Sequence, residues 1–472
     1  MAAELRVSEP AGRRVLLATI LGSGLAFVDA TIVTVAVPAI GRDLDADAAA
    51  LQWAVNAYTL TLAAFLLLGG SLGDRFGRRR VFLLGVVWFA VGSLACALAP
   101  GAGWLVAARA LQGVGAALLT PGSLALVQAS FRRDERPRAI GIWAGLSSVA
   151  PALAPFVGGW LLAVASWRWV FLINLPLAVV VVLVARRHVP ESADPDAARH
   201  LDVAGAALSA VGLAGLTYGF TAWPERGGTD PAVVGALVLG LGGLVAFVLA
   251  ERRSPAPMLP LHLFRVRAFS ATNLATLLVY GALSGLMFFL VVQLQVVGGY
   301  TALAAGLATL PVTLLLIAFS PLAGRVAERV GPRIPMTAGP LTAAAGAVLL
   351  AGVGPEPSYV ADVLPGVLLF GLGLVTTVAP LTSTVLAAVA DRFAGIASGV
   401  STAVARAAGL MAIAGLPLVA GLGSTFLDPA TLEPAYRTAS LVCAGLLAAG
   451  GLVSLVGVPG SYAALREAHE AG

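Results

Sequence analysis

The chain has 472 residues, of which 59% are hydrophobic and 11% charged, with a formal net charge of +5. Soluble proteins average about 25% charged residues, so this composition excludes an ordinary soluble domain. Cys96 and Cys443 lie in separate apolar stretches and suggest neither a disulfide framework nor a metal site.

Apolar runs of about 20 residues, the length that crosses a bilayer, recur along the whole chain. They fall near 15–40, 51–72, 81–100, 103–127, 138–163, 168–187, 203–223, 231–250, 268–293, 303–326, 334–353, 360–387, 393–421 and 437–459. The expected fold class is therefore an all-α polytopic membrane protein with fourteen spans. The first run follows a short polar start without a small-residue cleavage site, and reads as a retained helix.

All 29 basic residues are arginine. Of these, 23 fall in the N-terminus, the even-numbered loops and the C-terminus, and four in the opposite loops (Arg42, Arg168, Arg226, Arg437). Arginine resists translocation near span ends, so this bias predicts both termini in the cytoplasm. The basic character then reflects orientation and contact with lipid headgroups, and gives no reason to infer nucleic-acid binding.

Gly70–Arg80 packs one acid, four arginines and three glycines into a loop between the second and third runs. A weaker copy, Gly324–Arg333, aligns with Gly70–Arg79 at an offset of 254 residues. Gly70, Asp74, Arg75 and Gly77 correspond to Gly324, Glu328, Arg329 and Gly331. Gly141–Ser147 aligns with Gly395–Ser401 at the same offset. Two matches at one spacing predict a parallel repeat: a cytoplasmic N-terminus (1–14), a six-helix bundle at 15–187 and a second at 268–459. Between them, 188–267 holds linkers and an inserted helix pair, and 460–472 forms a cytoplasmic tail. Transporters built from such repeats bind substrate between the halves near the bilayer midplane. The chain has no phosphate-binding loop of the GxxxxGK[ST] type.

A charged side chain in the hydrocarbon core costs about 2.5–3.5 kcal/mol on insertion scales, so buried charges mark function. Asp29 lies midway along the first run; the other acids fall in loops or near span ends, as with Asp202, Glu251 and Asp362. Burial disfavours a charged carboxylate and a nearby cation favours it, the balance a proton carrier needs. Arg109 is the expected partner, because Gly113 and Gly115 permit close helix approach; a structural arginine bonded to backbone carbonyls is the alternative. Arg406 is the matching oddity in the second half, either meeting a polar or anionic substrate group or satisfying helix carbonyls.

Pro151, Pro155, Gly158 and Gly159 give the fifth run the signature of a bent, closely packed helix. Asn56, Tyr58, Asn273, Gln293 and Gln295 are candidate cavity or mouth residues, with helix-to-helix hydrogen bonding as the alternative. The four histidines fall in loops, and no cluster suggests a metal site or a nucleophile with its base.

These residues resemble the major facilitator superfamily over nearly the whole chain, in its fourteen-helix branch of drug:proton antiporters. Gly70–Arg79 resembles the family's loop between helices two and three, which implies a conformational latch formed by Gly70, Asp74, Arg75, Gly77 and Arg78, with Glu328 and Arg329 as its weaker counterpart. Leu25–Pro38 resembles the branch's first-helix signature, whose aspartate implies a proton or cation site at Asp29. Arg109–Gly115 is similar to the fourth-helix motif, whose arginine is implicated in proton transfer. Ala154–Gly159 resembles the antiporter motif of the fifth helix, with Ala154 where glycine is usual, and Ser166–Pro176 resembles the segment that follows it. The membrane acids of dication-exporting relatives are missing here. The resemblance implies a proton-driven exporter of hydrophobic or amphipathic small molecules, working by alternating access as a monomer in the bacterial cell membrane. Protons are its coupling ion, lipids surround it, and no cofactor or enzyme activity is implied. A proton symporter or a lipid translocator on the same fold is the alternative.

Overall fold

A computed structural model describes residues 5–132, 135–193, 202–254, 257, 259–389, 394–422, 428–462 and 464. Most of the 188–202 linker and of the 460–472 tail lies outside them. Nearly every apolar run is a helix, because a chain in hydrocarbon must satisfy its backbone internally. The helices are α1 Pro10–Leu44, α2 Ala48–Phe76, α3 Arg78–Ala97, α4 Ala102–Ser130, α5 Arg136–Val164, the short α6 Trp169–Leu172 continued by α7 Asn174–His188, α8 Val203–Arg226 and α9 Pro231–Arg253. Beyond them come α10 Arg267–Val296, α11 Ala302–Val330, α12 Arg333–Leu350, α13 Leu364–Ala387, α14 Ala394–Val419 and α15 Pro429–Gly457. Among the described residues, Leu5 and Phe131 form an isolated bridge.

Twelve spans among the described residues are long and apolar enough to cross a membrane, with α6 and α7 forming one of them. Two of the fourteen expected runs, those of α5 and α12, are not among these twelve. α12 is short, at 18 residues, opens on Arg333 and carries Pro335 and Pro340, which dilute its apolar character. Described residues of α5 supply an apolar stretch only over Leu153–Val164.

The chain divides into two compact units. The first comprises Met1–Ala46, Ala50–Val211 and Ser254–Met258; the second comprises Asp47–Ala49, Gly212–Arg253 and Leu259–Gly472. Within the first unit α1 packs against α4, α5 and α7, and α3 against α4. Within the second, α10 packs against α14 and α15, and α12 against α13 and α15. The expected inserted pair divides at Val211, leaving α9 and most of α8 with the second unit.

The repeat shows in backbone geometry. Gly77, between α2 and α3, has φ 108°, and Gly331, at the equivalent point between α11 and α12, has φ 81°; side-chain-bearing residues rarely adopt such values. The chain after each bundle's last helix crosses over this glycine. A Cβ on Gly77 would meet Glu191 at 2.8 Å, and one on Gly331 would overlap the Gly460 carbonyl. Gly92 of α3 and its counterpart Gly346 of α12 likewise bring neighbouring backbones together, at Gln112 and Phe370 respectively.

Candidate functional site

Five helices of the first unit converge on Asp29. It sits near the middle of α1 with no exposed surface, and Arg109 of α4 is 1% exposed. Arg109 Nη1 donates to Asp29 Oδ2 at 2.5 Å and to Gln112 Oε1 at 2.6 Å, while its Nε donates to the Ala54 carbonyl of α2 at 2.9 Å. Arg109 thus touches both the acid and a backbone carbonyl.

Asp29 Oδ1 accepts from Gln112 Nε2 at 2.8 Å and from Asn174 Nδ2, at the head of α7, at 3.1 Å. Each amide also donates to Ser93 Oγ of α3, at 2.7 Å from Gln112 and 3.2 Å from Asn174. Tyr58 of α2 covers the cation: the guanidinium carbon lies 4.3 Å from its ring centroid, and 5.8 Å from that of Phe171 on α6. Buried ions are tolerated when paired and hydrogen-bonded, and here both carboxylate oxygens are occupied. Chemically this is a buried charge pair in which Oδ1 accepts two hydrogen bonds and Oδ2 one.

Gln112, Ser93 and Asn174 were not singled out from sequence. Gln112 carried a usable signal, since it lies three residues after Arg109 and shares its helix face. Asn174 lay inside the Ser166–Pro176 resemblance, and Ser93 carried no signal, because a single small polar residue in an apolar span is common.

Other expected residues are placed as follows. Gly158 of α5 lets that helix approach Ile32, three residues from Asp29; a Cβ there would meet Ile32 Cγ1 at 2.6 Å. α5 runs unbroken through Pro151, Pro155 and Gly159; the side chain of Pro151 lies outside the described residues. Tyr58 belongs to the charge cage, its hydroxyl donating to the Ala26 carbonyl at 3.0 Å. Asn56 is fully buried two residues away, and neither polar atom of its amide has a partner among the described residues.

In the second unit, Asn273 donates to the Phe269 carbonyl at 2.9 Å, while its Oδ1 has no partner among the described residues. Gln293 donates to the Val353 carbonyl at 3.0 Å, and Gln295 to that of Val291 at 3.3 Å. Arg406 of α14 lies within electrostatic reach of Tyr280 on α10. The Asp29–Arg109 pair has no sequence counterpart in this unit: at the repeat offset, Asp29 and Arg109 correspond to Leu283 and Val363.

The stretch Gly70–Arg80, expected as a loop, is helical except at Gly77, because α2 runs on to Phe76 and α3 opens at Arg78; here Asp74 pairs with Arg78 at 2.7 Å, Arg75 lies over the Phe76 ring at 5.1 Å, and Gly70 faces Pro121 of α4. Glu191, beyond α7, accepts from the Arg79 backbone N–H at 3.0 Å and lies 3.7 Å from both the Arg79 and Arg80 side chains. Its carboxylate thereby caps the N-terminus of α3, where negative charge is favoured. Glu328 and Arg329 lie exposed on the last turn of α11. On the far end of the first unit, Asp43 accepts from Trp167 Nε1 at 2.9 Å and Arg168 Nη1 at 2.7 Å. Among the described residues no group of three or more metal-ligating side chains occurs.

Two repeated helical units, with a buried acid–arginine pair in one of them, define a membrane transporter and not an enzyme. The chain belongs to the Major Facilitator Superfamily, whose family model matches residues 19–414. It is 37% identical over 429 residues to the multidrug resistance protein Stp of Mycobacterium tuberculosis, covering 89% of this chain and 79% of that one. It is also 37% identical over 416 residues to the puromycin resistance protein pur8 of Streptomyces alboniger, covering 87% and 82%. The cephamycin export protein CmcT of Amycolatopsis lactamdurans is 36% identical over 421 residues, covering 88% and 86%. Among solved structures, the fold is that of a peptide transporter POT (TM-score 0.70, 18% identity, 96% of each chain) and of a D-xylose–proton symporter (TM-score 0.68, 15% identity, 95% and 98%).

Proposed function

We propose that the chain exports hydrophobic or amphipathic small molecules in exchange for protons, with Asp29 as the proton site and Arg109 as its counter-charge. The observation that carries this reading is the fully buried Asp29–Arg109 pair. Intramembrane ionisable residues are retained for transport chemistry, because their insertion is costly. Relatives named for multidrug resistance, puromycin resistance and cephamycin export support the drug class. In this reading all fourteen apolar runs span a bacterial plasma membrane, with both termini cytoplasmic, and the bundles at 15–187 and 268–459 rock about the bound substrate as a monomer. Residues 188–267 supply the linkers and the added helix pair.

The coupling follows from the pair's chemistry. Protonating Asp29 removes the charge that holds Arg109 to α1, while the Ala54 carbonyl keeps the guanidinium on α2. Proton loading thereby changes which helices are tied, and a ligand or proton shifts a two-state equilibrium by its differential affinity for the states. Asn56, Asn273, Gln295 and Arg406 are proposed to line the substrate path, and the Gly70–Arg80 segment with Glu328 and Arg329 to latch the cycle. The test is efflux of a panel of lipophilic compounds from cells expressing wild type or Asp29→Asn at equal membrane abundance. Loss of proton-dependent efflux in the variant is expected; undiminished efflux overturns the assignment.

A further inference from the structure

The two oxygens of Asp29 are not equivalent. Oδ1 takes two amide N–H donors, from Gln112 and Asn174, and Oδ2 takes only Arg109. The orientation of the Gln112 amide is fixed from its other end, since its carbonyl oxygen accepts from Arg109 at 2.6 Å and from the Cys96 thiol at 3.7 Å. Its nitrogen must therefore face Asp29 and Ser93. The Asn174 nitrogen has the same two acceptors, so all four amide hydrogens are committed, two to Oδ1 and two to Ser93 Oγ. A proton arriving at Oδ1 would oppose two fixed donors with no acceptor nearby.

We infer that Oδ2 is the oxygen that carries the proton, and that Asn174 and Ser93 are positioning residues which hold Asp29 through Oδ1 in both protonation states. This rests on the reading of Asp29 as the proton site. On loading, an O–H bond forms at Oδ2 with the proton of a hydronium ion, which leaves as water, and the Arg109 Nη1–Oδ2 hydrogen bond breaks. The carbonyl left at Oδ1 keeps both amide donors, so the acid stays in register on α1 while the cation is released from it. Unloading reverses each step. The charged or titratable groups facing this pair are Arg109 itself from α4, the Cys96 thiol from α3 and the Tyr58 phenol from α2. α6 and α7 present Phe171 and Asn174, and the described titratable groups of α5, Arg136 and Arg138, lie at its far first turn.

The test is pH-difference infrared spectroscopy on the full-length protein in lipid, taking as the Asp29 signal the protonated-carboxyl C=O band that Asp29→Asn removes. With the proton on Oδ2, the C=O group is the one that accepts the amide bonds. Asn174→Leu should then raise the band frequency, and it should raise the pH midpoint of the band by up to about one unit, the difference between a hydrogen bond to the charged and to the neutral carboxyl group. Ser93→Ala, at a residue whose described hydrogen bonds go to the two amides and not to Asp29, should move both in the same direction by less, because it frees the amides to turn; it also serves if Asn174→Leu does not fold. An unchanged band and midpoint in the variants, with the band present in wild type, overturns the role of Asn174 and Ser93 and leaves the proton site standing. Absence of a titrating Asp29 band in wild type overturns both.

Discussion

The Tyr58 ring lies against the Arg109 guanidinium at 4.3 Å, while its hydroxyl reaches the Ala26 carbonyl at 3.0 Å. One side chain of α2 thus touches the cation on α4 and the helix that carries the acid. Cation–π contacts contribute up to about 2 kcal/mol when desolvated, and a neutral hydrogen bond about 1 kcal/mol. Tyr58→Phe should therefore keep most efflux, with a small loss of thermal stability. Tyr58→Leu should lower proton-dependent efflux by an order of magnitude or more at equal expression. Equal activity of the two variants would remove the ring from the mechanism.

Removing one partner of a buried ion pair leaves the other uncompensated, at about 3–5 kcal/mol. Arg109→Ala should unfold or mislocalise much of the protein. Arg109→Ala combined with Asp29→Asn should recover most of that stability without efflux, because no charge is stranded. Thermal unfolding of the detergent-solubilised single and double variants checks this.

Gly92 and Gly346 occupy equivalent positions in the two units, and a Cβ at either meets backbone atoms of the facing helix. Overpacking of this kind typically costs about 1–3 kcal/mol. Gly92→Ala and Gly346→Ala should lower thermal stability similarly. Only Gly92→Ala pushes on Gln112 and adjoins Ser93, so it alone should also change the pH profile of efflux.

Glu191 and the Arg79 and Arg80 side chains are partly exposed, and such ion pairs contribute only about 0.2–1 kcal/mol. Glu191→Gln should leave folding intact. Hydrogen exchange should rise a few-fold at the Arg79 amide, which donates to Glu191, and at the Arg78 amide, which donates to the Ser192 carbonyl at 2.8 Å. No change at either amide would show that the linker is held some other way.

Much of this architecture is legible in the chain. Hydropathy locates most helix ends within a few residues, though α15 begins at Pro429, ahead of its run at 437–459, and the stretch at Gly70 with its copy at Gly324 reveals the repeat that recurs as positive-φ glycines at Gly77 and Gly331. α12 is less apolar than the other spans for a reason that also lies in the sequence, since Arg333, Pro335 and Pro340 dilute it. The pairing of Asp29 with Arg109 is legible for an energetic reason: an acid and a base 80 residues apart in apolar runs have few acceptable states other than with each other.

The amino-acid sequence by itself determined the membrane class, the duplicated architecture and the identity of the buried charges. It did so because transfer into hydrocarbon is costly for every polar group and filters composition residue by residue. The tertiary structure alone decided that Gln112, Ser93 and Asn174 complete the site, that Tyr58 shields the cation, and that Glu191 caps α3. Such choices depend on which faces of five helices meet at one depth, and hydrogen bonds of about 3 Å between residues far apart in sequence leave no periodic trace in it.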